Sequence, residues 1–116
     1  MTRQRYDNHS TEFGLWLRAQ SEIDSSLGYV TTNIDYVWKN YRTGEWMFIE
    51  EKRYMGKVSR NQREIFKNLN TLAKHDPLYK GYHMIQFERT GPDDGRIFID
   101  RKEVTLHQLI DFLRFK

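Results

Sequence analysis

The chain has no cysteine, which excludes a disulfide framework and thiolate-bound zinc. Its two prolines, Pro77 and Pro92, each fall at a connection, and no repeat or low-complexity tract marks a linker. No apolar run approaches the roughly 20 residues that cross a bilayer, so no membrane association is expected. The opening stretch MTRQRYDNHS lacks the apolar segment of a secretory signal. A cytoplasmic location is therefore expected, the host cytoplasm if the chain is viral. No Gly-rich loop follows a predicted strand and no nucleophile elbow occurs, so P-loop, dinucleotide and serine-hydrolase chemistries find no support. The histidines His9, His75, His83 and His107 show no paired ligand spacing and read as surface or capping groups.

What is present is a chain of 116 residues, 38% hydrophobic and 30% charged, with mean hydropathy −0.84. That size suits one domain over residues 1–116, with aromatics (15%) supplying much of the core volume. The net charge of +3 is unevenly spread. Lys52, Arg53, Lys57, Arg60, Arg63 and Lys67 face a single acid, Glu64, within one segment, which leaves the rest of the chain slightly acidic. A local basic patch is the footprint of a phosphate-bearing partner, although a solvated helix face is the plainer alternative.

The periodicities predict an order of elements. STEFGLWLRAQSEI carries Glu12, Leu15, Trp16, Ala19 and Ile23 at helical spacing. GYVTTNIDYVWKN reads as one or two strands, NYRTGEW as a turn and EWMFIEEKRY as the return strand. A helix follows from about Ser59 to Lys74, with Ile65, Phe66, Leu69, Leu72 and Ala73 on its inner face. YHMIQFER is a strand, TGPDDG a tight turn and RIFIDRK a further strand. The last helix opens with a capping box, Thr105 to Gln108, and carries the stripe Leu106, Leu109, Ile110 and Leu113. The expected fold is α/β: a central mixed sheet of four to five strands flanked by helices, with a C-terminal helix. Its core would span about 10–90, and a C-terminal strand and helix would occupy 95–116.

One run asks for explanation. Along EWMFIEEKRY an apolar strand ends in Glu50-Glu51-Lys52-Arg53. Side chains alternate on a strand, so Phe48, Glu50 and Lys52 share one face while Met47, Ile49 and Glu51 share the other. A two-residue loop at Arg42-Thr43 pairs positions that sum to 85 and sets Asp35 opposite Glu50, whereas a three-residue loop shifts the register by one. Two carboxylates there repel unless a cation lies between them. A hard ion such as Mg²⁺ takes carboxylate oxygens and keeps several waters. Lys52, two residues on, adds an ammonium that can orient an attacking water and stabilise charge building on a phosphate.

These residues resemble the signature of the PD-(D/E)XK nuclease superfamily: Asp35, fourteen residues, then Glu50-Glu51-Lys52. The chain is most similar to small Holliday-junction-resolvase-like or phage-type members. Ile34 stands where the family's name has proline. The resemblance implies a restriction-endonuclease-like αβββαβ core and an endonuclease that hydrolyses DNA phosphodiester bonds. It also implies Mg²⁺, with Mn²⁺ as substitute, held by Asp35, Glu50 and the backbone carbonyl of Glu51. Lys52 would assist the attacking water, Glu12 would add an acid from the preceding helix, and Gln62 would act from the following one. Arg53, Lys57, Arg60, Arg63 and Lys67 would hold the nucleic acid, DNA with RNA not excluded. Paired cuts in opposite strands imply a homodimer, with Phe112 and Phe115 as its expected surface. Membership of a larger complex is also open.

Each residue has a plainer role to set against this. Glu12 could simply complement the helix dipole. Gln62 could complete a capping box with Ser59. The side chain of Glu51 could pair with Arg53 alone. Tyr41, Trp46 and Tyr54 are of a type that stacks on bases, although aromatics in strands usually serve the core. The rival functions are a catalytically inactive nucleic-acid-binding module and a protein-interaction domain. What favours hydrolysis is the convergence of Asp35, Glu50, Lys52, Glu12 and Gln62.

Overall fold

The computed structural model describes Glu12–Lys116. Ser10 and Thr11, which begin the first predicted helix, and His9 lie outside the described residues. The chain divides into two compact units, one ending at Asn33 and the other comprising Ile34–Lys116.

In the first unit, helix α1 (Glu12–Ala19) has Glu12 in its first turn and Arg18 in its last, each matched to the helix dipole. The predicted stripe is cut short at Ala19. Ile23 falls in a 3₁₀ turn, Ser21–Ile23, and a second such turn, Ser25–Leu27, closes on Gly28 at φ 99°. Phe13 stacks on Trp16 at 5.9 Å, and both rings stay exposed.

The second unit is α/β, as expected, with a five-stranded mixed sheet in the order β1-β2-β3-β4-β5. Strands β1 (Tyr36–Lys39) and β2 (Trp46–Lys52) form an antiparallel hairpin. Helix α2 (Arg60–Ala73) crosses over to β3 (Tyr79–Phe87), which runs parallel to β2. The segment ahead of the hairpin contributes the single strand β1. RIFIDRK, read as one strand, forms two: β4 (Ile97–Ile99) and β5 (Lys102–Val104), joined by Asp100-Arg101 at φ 50° and 73°. Two successive left-handed residues make the tight turn that such a hairpin needs. Helix α3 (Leu106–Leu113) closes the chain with the predicted capping box at Thr105 and Gln108.

The sheet has two differently furnished faces. Towards α3 it packs Met47, Ile49, Ile85, Phe87 and Ile97 against Leu109, with Val104, Phe112, Leu113 and Phe115 alongside. Phe112 and Phe115, expected as a docking surface, are therefore occupied within the fold. The opposite face holds an aromatic cluster, Trp46, Phe48 and Tyr79, and the pair Phe66–Tyr82 with ring centroids 4.6 Å apart. Tyr79 and Tyr82 reach the same face only because β3 carries an extra residue between the pairs Trp46↔Tyr79 and Phe48↔Tyr82. Gly81 sits in this bulge at φ 106°, where a Cβ would lie 3.0 Å from His83 Nε2.

His83 locks β3 to the β4–β5 turn. Its Nδ1 meets the Asp100 carboxylate at 2.7 Å and its Nε2 the Lys80 carbonyl at 2.8 Å. Both partners are acceptors, so both bonds require the imidazolium. Burial opposes that charge, but the hydrogen bonds to Asp100 and Lys80 outweigh it and raise the His83 pKa. Burial likewise pushes Asp100 up, and its bonds from His83 and the Met84 amide more than offset this and lower it. A raised histidine pKa contributes stability that is complete below 6.5 and is lost as pH rises through the folded value. Urea unfolding between about pH 5 and about pH 9 is expected to show stability falling on the alkaline side, and His83→Gln to flatten that slope.

Candidate functional site

On the α2 side of the sheet, β2 grades from apolar to charged along its length: Trp46, Phe48, Glu50, Lys52. The first two join the aromatic cluster. The last two lie at the strand's C-terminal end, where the chain leaves the sheet for α2.

The hairpin register sums to 85, from Tyr36↔Ile49 to Lys39↔Trp46. The turn is longer than a two-residue loop. Asn40 N–H donates to the Glu45 carbonyl at 2.9 Å, and the Asn40 side chain accepts from the amides of Arg42 and Thr43. Lengthening the loop equally on both sides leaves the register unchanged. One step beyond β1, Asp35 faces Glu50. Its amide donates to Glu50 Oε1 at 3.2 Å, and its Oδ2 accepts from the Glu51 amide at 2.8 Å.

Glu50 is 1% exposed, among the most deeply buried side chains of the described residues. Gln62 Nε2 donates to its Oε2 at 2.8 Å, and Lys52 Nζ lies 3.6 Å from the same oxygen. Lys52 Nζ also donates to Gln62 Oε1 at 3.3 Å. Carboxylate, amide and ammonium thus form a closed triangle. Burial raises the Glu50 pKa; the Asp35 amide draws it down, the Asp35 charge pushes it up and Lys52 draws it down, and the net direction is up.

Gln62 makes a cap contact through its backbone and a separate contact through its side chain. The Ser59 side chain does cap α2, accepting from the Gln62 amide at 3.2 Å. The Gln62 side chain, however, turns to Glu50 and Lys52, so the capping box is only half formed. Glu51 points to the other face, where Arg53 Nε (3.3 Å) and the Tyr36 hydroxyl (3.2 Å) bind its carboxylate. Glu12 belongs to the first unit, and its assignment rests on the sequence alone. Lys57, Arg60, Arg63 and Lys67 are exposed and form no ion pair among the described residues. On α2 the stripe Arg60, Arg63, Lys67 lies roughly a quarter to a third of a turn from Phe66 and Gln62. These cations flank the triangle and do not line it.

Two nearby residues escaped the sequence reading. Gln86, 5% exposed, is the register partner of Lys52 and donates through Nε2 to the Gly56 carbonyl at 2.9 Å. The Tyr82 hydroxyl is buried without a hydrogen-bond partner among the described residues. Burial and then the charges of Glu50, Asp100 and Asp35 raise its pKa strongly. A polar residue on an otherwise apolar strand, as in YHMIQF, was the available signal for Gln86; the bulge at Gly81 obscured which face it joins.

Among the described residues no three His, Cys, Asp or Glu side chains gather into a metal-binding group. The donors at hand are Asp35, Glu50 and the Glu51 carbonyl. This set suits a hydrated hard ion, which needs one or two carboxylates and keeps its waters. The orphaned Tyr82 hydroxyl, in the field of both carboxylates, suits a hydrated site as well.

Gln62→Ala removes the short donor to Glu50 and the acceptor for Lys52. It is expected to lower stability by about 1–3 kcal/mol in urea unfolding. A double-mutant cycle with Lys52→Ala should depart from additivity by about 0.5 kcal/mol or more.

Comparison with protein-family models, curated proteins and solved structures finds no match for this chain.

Proposed function

We propose that the chain is a Mg²⁺-dependent nuclease that hydrolyses DNA phosphodiester bonds, a restriction-endonuclease-like enzyme of PD-(D/E)XK type. What carries the reading is the Glu50–Gln62–Lys52 triangle beside Asp35: two carboxylates and an ammonium on one face, at the end of a strand, next to exposed cations.

Asp35 and Glu50, with the Glu51 carbonyl, would hold the ion. When bound, Mg²⁺ supplies charge neutralisation at the phosphate and eases loss of a proton from water. Lys52 is steered by two acceptors, Glu50 Oε2 and Gln62 Oε1, which leaves its third N–H for a phosphate oxygen as charge builds there. Gln62 fixes both partners and so sets the angle between carboxylate and ammonium. Water oxygen bonds to phosphorus, the bond to the leaving oxygen breaks, and that oxygen takes up a proton. Lys57, Arg60, Arg63 and Lys67 neutralise phosphates of neighbouring nucleotides, a sequence-independent contribution to affinity.

A second reading has its own support. Each Glu50 oxygen already has a donor within the fold, as a purely structural network requires. That favours a non-catalytic nucleic-acid-binding module, whose binding would depend on salt and not on metal.

Purified protein incubated with labelled linear, branched and single-stranded DNA is expected to cleave in Mg²⁺ or Mn²⁺ and not in EDTA. Lys52→Ala should lower the rate by about 10²-fold or more while binding persists. Cleavage surviving in both Lys52→Ala and Asp35→Ala would refute these roles; salt-sensitive binding without cleavage would select the second reading. Arg63→Ala should weaken binding on all sequences alike and reduce the slope of log K against log salt by about 1.

A further inference from the structure

The chain leaves β2 through an unusual bend. Tyr54 and Met55, directly after Lys52-Arg53, stand at φ 53° and 57°. The left-handed region is disfavoured for any residue with a Cβ and most of all for a bulky one. Two in succession persist only when the surroundings fix them, and such strain gathers at functional sites.

The surroundings do fix them. Tyr54 N–H donates to the Arg89 carbonyl at 2.9 Å, and Met55 N–H to the Phe87 carbonyl at 2.9 Å. Gly56 N–H closes back on the Arg53 carbonyl at 3.0 Å, and the buried Gln86 amide clamps the Gly56 carbonyl at 2.9 Å. The loop is thus hung on the end of β3, beside the strand that carries Lys52.

The ring held in this way is not used for packing. Tyr54 is 68% exposed, and neither its ring nor its hydroxyl has a partner among the described residues. Asparagine or glycine would meet the backbone demand at lower strain. A strained backbone that presents a solvated aromatic two residues beyond Lys52, with the exposed Lys57 three residues further on, has the parts of a stacking platform: a flat π-face for a base and a cation for an adjoining phosphate.

We propose that Tyr54 stacks on an unpaired nucleobase next to the phosphate engaged by Lys52, and that it biases the site towards DNA with a single-stranded extension over blunt duplex. A base inside a duplex has both faces covered by its neighbours, so the ring reaches only a base that is already free. This inference rests on the nuclease reading for the position of the phosphate.

The test measures binding in EDTA, where no cleavage occurs. Two DNA ligands are used, a duplex with a single-stranded extension containing 2-aminopurine and a blunt duplex of equal length. Tyr54→Ala is expected to weaken binding of the extended ligand roughly tenfold or more, and the blunt one by a much smaller factor. Tyr54→Phe keeps the flat ring and should stay within about twofold of wild type. Tyr54→Gly should lose the same affinity while its thermal midpoint holds or rises, because glycine relieves the positive φ; a ring with a merely structural role would lower both. Quenching of 2-aminopurine should disappear in the Ala and Gly variants and survive in Tyr41→Ala, an exposed tyrosine at the far end of the hairpin. If wild type binds DNA and Tyr54→Ala affects both ligands equally or neither, the stacking role is overturned and the nuclease reading stands. If wild type binds no DNA, both fall together.

Discussion

The second unit is organised around a deeply buried carboxylate. Glu50 is enclosed between the sheet and α2, and its donors come from three places: the Asp35 amide ahead of β1, the Lys52 ammonium on β2 and the Gln62 amide on α2. Burying a charge is costly unless it is paired and hydrogen-bonded. Here each oxygen has a donor, yet burial, with the neighbouring Asp35 charge, still leaves the Glu50 pKa raised. A fold selected for stability alone would do as well or better with an apolar residue, since buried ionic networks replaced by packed hydrophobics are often no less stable.

Topology determines where that charge appears. Strands β2 and β3 run parallel, and α2 makes the crossover between them. The C-terminal ends of both strands therefore meet the N-terminal end of α2, which Ser59 caps. In open α/β sheets ligands bind outside the carboxyl ends of the strands, and a helix N-terminus favours anions. The apolar half of β2 is spent on the aromatic cluster, and the polar half emerges where a phosphate would find backbone dipole, ammonium and carboxylate together. The sequence EWMFIEEKRY records this division: its alternation serves both faces, and its gradient serves the two ends.

Much of this was legible in the sequence. Strict alternation along β2 separates Glu50 and Lys52 from Glu51, and a hairpin register depends only on where the turn is centred, not on its length. Hence the Asp35–Glu50 pairing survives a turn longer than expected. What could not be read depends on the backbone leaving its regular period. The bulge at Gly81 changes the parity of β3, so Tyr79, Tyr82 and Gln86 share a face that simple alternation divides. The Asp100-Arg101 turn has no glycine or asparagine to announce it, because the Asp100 carboxylate, bound to His83 and the Met84 amide, holds the conformation by tertiary contact. Gln62 was ambiguous for a different reason. Capping and the contact with Glu50 use different atoms of one residue, its amide and its side chain, and the fold employs both.

The basic residues separate affinity from chemistry. Arg60, Arg63 and Lys67 do not share the face of α2 that carries Gln62 and Phe66. Displaced around α2, they put positive charge on the flank of that helix. Lys52 is the exception, and it is tied to Glu50 and Gln62 at a defined distance. On the proposed reading, a polyanion drawn to the flank would meet Asp35, Glu50 and Lys52 at the strand end. On that reading, salt sensitivity and metal dependence would be separable properties of one surface. A module that only bound nucleic acid would need the basic flank but not two acids beside Lys52, and that grouping is what supports the hydrolytic reading proposed above.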